Sequence, residues 1–304
     1  MDAVGNTPVI RLSKMTSDQD ADILVKYEAL NVGGSIKTRT ALNMIEQAEK
    51  KKLLHADSII VEPTSGNQGI GLALVGAIKG YRTIIIMPDS VSRERRMLVE
   101  QYGAEVVLVH DAGDIGACIQ ECLQTALNLQ AKDKNVFIPQ QFTNPNNPLV
   151  HEEKTAAEIL QQVNIPIHGF CSGIGTGGTI SGIGRILRAK YPDILIWAIE
   201  PDQAAVLSGG IVRTHNQMGI GDGFIPENLD TSIYDDTYII SDEEALQTAK
   251  DLARKEGLLC GISSGTNVAA ALKMAKILGK GKTVLTILPD TGERYFSTPL
   301  FEGE

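Results

Sequence analysis

Three short stretches of this 304-residue chain combine residue types that organic catalysis needs. In Asn31-Val32-Gly33-Gly34-Ser35-Ile36-Lys37 a lysine follows an apolar run and a glycine turn, at the start of a helical pattern. A lone lysine is ordinarily a solvated surface cation. Held near a helix N-terminus in a partly desolvated cleft, it has its neutral amine favoured, the form that builds a Schiff base. Ser172-Gly173-Ile174-Gly175-Thr176-Gly177-Gly178-Thr179 follows the apolar run His168-Gly169-Phe170-Cys171 and opens a helix near Thr179. Backbone N–H groups at such a helix start, with the positive end of the helix dipole, make a phosphate site; Gly lets the backbone approach, and the Thr176 and Thr179 hydroxyls add donors. The bland alternative is a tight strand-to-helix turn. Thr64-Ser65-Gly66-Asn67-Gln68 offers hydroxyls, an amide and helix N-terminal N–H groups suited to a substrate carboxylate, although Ser65 could equally only cap the following helix.

The glycine loop also fits G-x-G-x-x-G, and Glu200 ends the next strand near where a ribose-binding acid belongs. A dinucleotide enzyme therefore competes. Against it, a complete α/β layer precedes the fingerprint, and the Lys37 and 64–69 segments are left unexplained.

Short β-branched runs at 58–62, 83–87, 106–109, 196–200 and 283–288 read as buried parallel strands. Helical patterns at 38–52, 67–79, 93–102, 115–129, 179–189 and 243–256 separate them, so the fold class is α/β with doubly wound sheets. Pro63, Pro88, Pro139 and Pro289 each close an apolar run. Because open parallel sheets bind ligands at the carboxyl ends of their strands, the glycine- and hydroxyl-rich loops there, including Gly261-Ile262-Ser263-Ser264-Gly265-Thr266, are where chemistry is expected.

Composition narrows the partners. Apolar residues are 43% and charged residues 21%, the balance of a globular protein of roughly two domains. A formal charge of -9 with no basic tract excludes nucleic acid as the natural partner, and nothing approaches a membrane span. Cys118, Cys122, Cys171 and Cys260 read as buried free thiols; no C-x-x-C pair and no completing histidine suggests a metal, so none is expected. No signal peptide precedes Gly5-Asn6-Thr7-Pro8, which points to the cytoplasm.

Taken together, these segments, from Gly5-Asn6-Thr7-Pro8 to Pro289-Asp290-Thr291-Gly292-Glu293-Arg294-Tyr295, resemble the cysteine synthase and cystathionine β-synthase family of fold type II, whose architecture is tryptophan synthase β-like. The resemblance implies pyridoxal 5'-phosphate as cofactor, with Lys37 as its Schiff-base lysine and Gly175, Thr176, Gly177, Gly178 and Thr179 as its phosphate cradle. It makes Asn67 the partner of the ring oxygen and Ser263 the partner of the pyridine nitrogen. Thr64, Ser65, Asn67, Gln68 and Gln141 would grip the substrate carboxylate. A neutral hydroxyl at the pyridine leaves a weaker electron sink than an aspartate would, favouring loss of a β-leaving group over transamination. The implied activity is β-replacement through an aminoacrylate, as when O-acetylserine and sulfide give cysteine. The implied organisation is a smaller mobile α/β domain at 35–140, a larger one at 1–34 and 141–304 with the phosphate cradle, and a homodimer. The family also admits an acyltransferase partner, which no residue pattern here reads out.

Several positions depart from the family pattern: Val32 for proline, Thr38 for aspartate, Gln68 for threonine, and Lys154-Thr155-Ala156-Ala157-Glu158 for Thr-Thr-Gly-Pro-Glu. In Gly219-Ile220-Gly221-Asp222-Gly223-Phe224, Asp222 stands where cysteine synthases usually carry alanine and cystathionine β-synthases tyrosine. It is either a solvated loop acid or a carboxylate facing the substrate. In the second case it would repel bisulfide and could deprotonate water or another neutral nucleophile, turning the enzyme towards releasing sulfide from cysteine.

Overall fold

Most of the apolar runs fold as strands covered on both faces; the run in 105–109 is an edge strand with Val107 and Leu108 exposed. The computed structural model describes residues 1–64 and 66–301. Among these, strands and helices follow one another as β1 (Val9–Arg11), β2 (Asp22–Tyr27), α1 (Lys37–Lys50), β3 (Ile59–Pro63), α2 (Asn67–Lys79), β4 (Arg82–Pro88), α3 (Arg93–Gln101), β5 (Glu105–Val109), α4 (Ile115–Lys132) and β6 (Val136–Phe137). The second part continues with α5 (Asn146–Val150), α6 (Ala156–Gln162), β7 (Gly169–Gly173), α7 (Gly178–Lys190), β8 (Leu195–Pro201), β9 (Asp236–Ile240), α8 (Asp242–Asp251), α9 (Ile262–Leu278) and β10 (Thr283–Leu288).

A four-stranded sheet has the order β5-β4-β3-β6 and is parallel throughout. A six-stranded sheet has the order β1-β2-β10-β7-β8-β9, parallel except for the β1–β2 pair. Side chains alternate between the faces with period two. In the smaller sheet Ile60, Ile85 and Met87 join one apolar cluster with α1 and α2, whereas Val61, Ile84 and Ile86 join another with α4. In the larger sheet Val25, Trp197, Ile199 and Val284 face α9; Leu24, Phe170, Ile196 and Leu285 face α6 and α7. Continuous apolar runs are what such doubly covered strands require, at about 1.5–3 kcal/mol of stabilisation per buried aliphatic side chain.

One segment differs from its sequence reading. Gly261–Thr266 is expected as a loop, but α9 begins at Ile262 and Ser263 lies in its first turn. The helix is buried almost all round, so its sequence shows no polar stripe, and the two features that look like breakers are packing features. A Cβ at Gly265 would collide with the Ala245 carbonyl of α8, and Thr266 is fully buried. Among the described residues no helix is long and apolar enough to cross a membrane.

Candidate active site

The carboxyl ends of both sheets face a shared cleft, lined among others by Lys37, Asn67, Gly175, Thr176, Gly177, Thr179 and Ser263. Its floor is the turn from β7 into α7. Gly177 sits at φ +75°, where L side chains are strained, and a Cβ on Gly175 would come within 2.5 Å of the Gly219 carbonyl oxygen. The backbone therefore closes round the helix N-terminus with no side chain in the way. Thr176 Oγ1 accepts a hydrogen bond of 2.9 Å from Asn147 Nδ2 and one of 3.5 Å from the Gly178 N–H. Its own hydroxyl hydrogen is thus left to donate into the cleft. Asn267 fixes the entry to the turn by accepting from the Gly173 N–H at 2.7 Å and donating to the Ile287 carbonyl at 2.8 Å.

Lys37 is the first residue of α1, after Gly33 at φ +75° and Gly34 at φ +70°. Its loop is stapled to the segment after β10: Ile36 N–H donates to the Pro289 carbonyl (2.9 Å) and Thr291 N–H to the Gly34 carbonyl (3.2 Å). Desolvation lowers the Lys37 pKa, and the nearby carboxylates of Asp222 and Asp290 oppose that shift without reversing it. The direction of the shift is the one that Schiff-base chemistry at Lys37 would need.

Asp222 is buried, and its carboxylate acts electrostatically on Lys37. It does not lie in solvent. The loop that carries it is held on both sides, with Gly221 N–H donating to Ile174 O (2.8 Å) and His215 Nε2 lying 2.9 Å from Gly221 O. His215 Nδ1 accepts from the Gln217 N–H at 3.1 Å, which makes Nε2 the protonated nitrogen. Gln217 is tied in turn to α8 and α9 through Asp242 (2.9 Å) and Thr266 (2.8 Å).

Among the described residues, Thr64, Gln68 and Gln141, also expected at the substrate, are buried but are not among those lining this cleft. Thr64 Oγ1 accepts from the Gly66 N–H at 3.1 Å; Ser65 falls outside the described residues. Gln68 is buried, accepts from Thr40 Oγ1 at 2.6 Å, and its Nε2 has no partner among the described residues. Gln141 Nε2 donates to the Pro63 carbonyl at 3.1 Å, while its backbone N–H and that of Gln140 donate to Glu62 at 2.7 and 2.9 Å. Burial pushes the Glu62 carboxyl up to about 8 against those two hydrogen bonds. Thr38, which replaces the family's aspartate, uses its hydroxyl on the Val32 carbonyl at 2.6 Å and so closes the Lys37 turn locally.

Glu200, the acid a dinucleotide reading needs, is committed elsewhere. Its carboxylate accepts from Leu207 N–H (2.7 Å), Ser208 N–H (3.0 Å) and Ser208 Oγ (2.8 Å). What the sequence reading missed is a second layer: Asn147, Asn267, Asp290 and Arg294, whose roles depend on convergence of distant segments. The repeated Asn-Pro pairs at 144–148 and the acid and guanidinium in the last motif were the available signals.

These features suit a phosphorylated aldehyde: an N-terminal helix cradle with a free hydroxyl hydrogen, a desolvated amine across the cleft, and a serine hydroxyl at the start of α9. Comparison with known proteins agrees. The family model described as "Pyridoxal-phosphate dependent enzyme" matches residues 1–290. A cysteine synthase of Staphylococcus aureus (strain Mu50) is 48% identical over 299 residues, covering 98% of this chain and 95% of that protein. The solved structure of an O-ureido-L-serine synthase is similar at TM-score 0.94 and 41% identity, covering 99% of this chain and 94% of its own. A hydrogen sulfide-producing enzyme from Fusobacterium nucleatum is similar at TM-score 0.91 and 41% identity, covering 97% and 98%.

Proposed function

We propose, from the premise that this chain belongs to the pyridoxal-phosphate-dependent enzyme family, that it performs β-replacement on a small amino acid in the manner of a cysteine synthase. The observation that carries this reading is the pairing, across one cleft, of the desolvated Lys37 amine with the hydroxyl-bearing glycine turn at the start of α7. When bound, the cofactor withdraws electrons from Cα of an attached amino acid, so that the Cα proton becomes acidic and a β-substituent can leave.

The chain's own groups do the rest. Lys37 Nζ would hold the cofactor, and as a free amine would be the base that takes the Cα proton. The cradle of Gly175, Thr176, Gly177, Gly178 and Thr179 binds the phosphate, Asn67 meets the ring oxygen and Ser263 the pyridine nitrogen. Thr64, Ser65, Gln68 and Gln141 surround the substrate carboxylate, and the smaller unit at 35–140 closes over it against the larger unit at 1–34 and 141–304. The four buried free thiols suit a reducing compartment, so we place the enzyme in the cytoplasm. The family resemblance supports a homodimer.

Asp222 favours a second reading of the same site. Buried beside Lys37, it makes the approach of an anionic nucleophile such as bisulfide costly and can take a proton from water or a thiol adding at Cβ. On this reading the enzyme consumes cysteine and releases sulfide, as the name of the Fusobacterium relative says of that protein. The test is a panel in which donor and nucleophile vary separately. Sulfide and serine from cysteine alone support the second reading; activity only with O-acetylserine plus sulfide supports the first. Inertness with every β-substituted amino acid would sink both.

A further inference from the structure

The motif Pro289-Asp290-Thr291-Gly292-Glu293-Arg294-Tyr295 follows β10 and folds back against the cleft, where it meets Asn67 with two charged side chains of opposite sign. Asp290 is fully buried and Arg294 is 4% exposed. Asn67 Nδ2 donates to Asp290 Oδ2 at 2.6 Å, and Arg294 Nη1 donates to Asn67 Oδ1 at 2.7 Å. A primary amide is nearly symmetric in shape, so its orientation is set by its partners. Turned over, this one would press its oxygen on a carboxylate and its N–H on a guanidinium, exchanging two charge-assisted hydrogen bonds for two repulsive contacts in a desolvated place.

Both clamping residues are themselves held. Asp290 Oδ2 accepts from Tyr295 Oη at 2.7 Å, and Tyr295 Oη accepts from Arg95 of α3 at 2.7 Å. Arg294 Nη2 donates to the Gly33 carbonyl and Nε to Thr291 Oγ1 at 3.3 Å; its own carbonyl accepts from Ser92 Oγ at 2.7 Å. One Asn67 N–H is thereby consumed by Asp290. The amide lines the cleft, so the second N–H is the one it can present there.

We propose that Asp290 and Arg294 are positioning residues that lock the Asn67 amide in one orientation, so that its second N–H is presented to the phenolic oxygen of the cofactor. This rests on the cofactor reading above and assigns a task to a motif that reading leaves without one. A donor at that oxygen stabilises the phenolate form of the Lys37-linked cofactor, which absorbs in the visible, over the neutral phenol form, which absorbs in the near ultraviolet.

The experiment compares absorption spectra of purified holoenzymes: wild type, Asn67→Ala, Asp290→Asn, Arg294→Met and Arg294→Lys, each checked for folding by circular dichroism. The expected visible-to-ultraviolet ratio falls roughly fivefold in Asn67→Ala, Asp290→Asn and Arg294→Met, the equilibrium equivalent of one hydrogen bond of about 1 kcal/mol. Arg294→Lys, which keeps a donor for Asn67 Oδ1, restores much of it. A ratio unchanged in folded Arg294→Met, or a fall that Lys does not recover, overturns the clamp. Since Asp290 also acts on Lys37 and its variant could fail to fold, the Arg294 pair decides. A wild-type protein with no visible band under cofactor saturation would instead count against the cofactor reading itself.

Discussion

Asp222 brings a carboxylate within electrostatic reach of an amine whose surroundings disfavour its charged form. On the proposed sulfide-releasing reading the two groups would share the work, one taking the Cα proton and the other a proton from the incoming nucleophile. Asp222→Ala is expected to lower sulfide release from cysteine by about 10²-fold, the usual contribution of a positioned base, while synthesis from O-acetylserine and sulfide holds or rises. Equal loss of both activities would assign Asp222 a structural part only. Lys37 and the glycine turn were legible because their chemistry is written in adjacent residues. Asp222 was legible as an anomaly, whereas its burial and its electrostatic reach to Lys37 depend on the fold. Asp290 and Arg294 stand in a motif the sequence displays, but their contact with Asn67 was not legible, because each lies more than two hundred positions from it in the chain.

Elements were readable where their burial was regular. Strands covered on both faces write themselves as β-branched runs, and α2 and α4 as helical patterns at 67–79 and 115–129. The helix α9 did not, since its surroundings are apolar on nearly every side and its glycine is a packing device against α8. Two predictions belong to this scale. Asn147 joins α5 to the phosphate turn, donating to both Thr176 Oγ1 and the Gln141 carbonyl, so Asn147→Ala is expected to raise the cofactor dissociation constant about tenfold, measured by fluorescence titration. An unchanged constant would show that the turn orients itself. Glu158 of α6 accepts from Arg39 of α1 at 2.7 Å and pairs with Lys26 of β2 at 2.8 Å. Burial tends to raise its carboxyl, but hydrogen bonds from Arg39 and Lys26 outweigh that and hold it at about 2. A carboxyl depressed by folding contributes stability above its unfolded range and loses it as pH falls towards the folded value. Stability of the wild type should therefore fall by about 1–3 kcal/mol between roughly pH 4.5 and 2 relative to Glu158→Gln, read from denaturant melts at stepped pH. Parallel curves would mean that the pair is not formed.

At the scale of the molecule the two sheets converge on one cleft, and segments from each touch over it. Thr214 N–H donates to the Gly113 carbonyl at 3.4 Å, and a Cβ built on Gly116 at the start of α4 would lie 3.6 Å from the backbone of Gly223, next to Asp222. Backbone approaches backbone at Gly116 and Gly223, beside a hydrogen bond of 3.2 Å from Thr214 Oγ1 to Asp111 Oδ2, and on the proposed reading this contact takes part in closure over the substrate. Gly116→Val is expected to prop this contact open, raising KM for the amino acid several-fold while leaving the resting cofactor spectrum unchanged; a normal KM would show that the contact is not part of closure. The alternation of strands and helices made this architecture legible, whereas the meeting of 113–116 with 214–223 has no sequence signature. The catalytic and spectral expectations depend on Lys37 carrying pyridoxal 5'-phosphate. The most direct test is the visible absorption band of the purified protein, with peptide mass analysis after borohydride reduction. The band should be present in the wild type and lost in Lys37→Ala, with the reduced cofactor's mass on the Lys37 peptide. A band that survives Lys37→Ala, or a label on another lysine, would contradict the account.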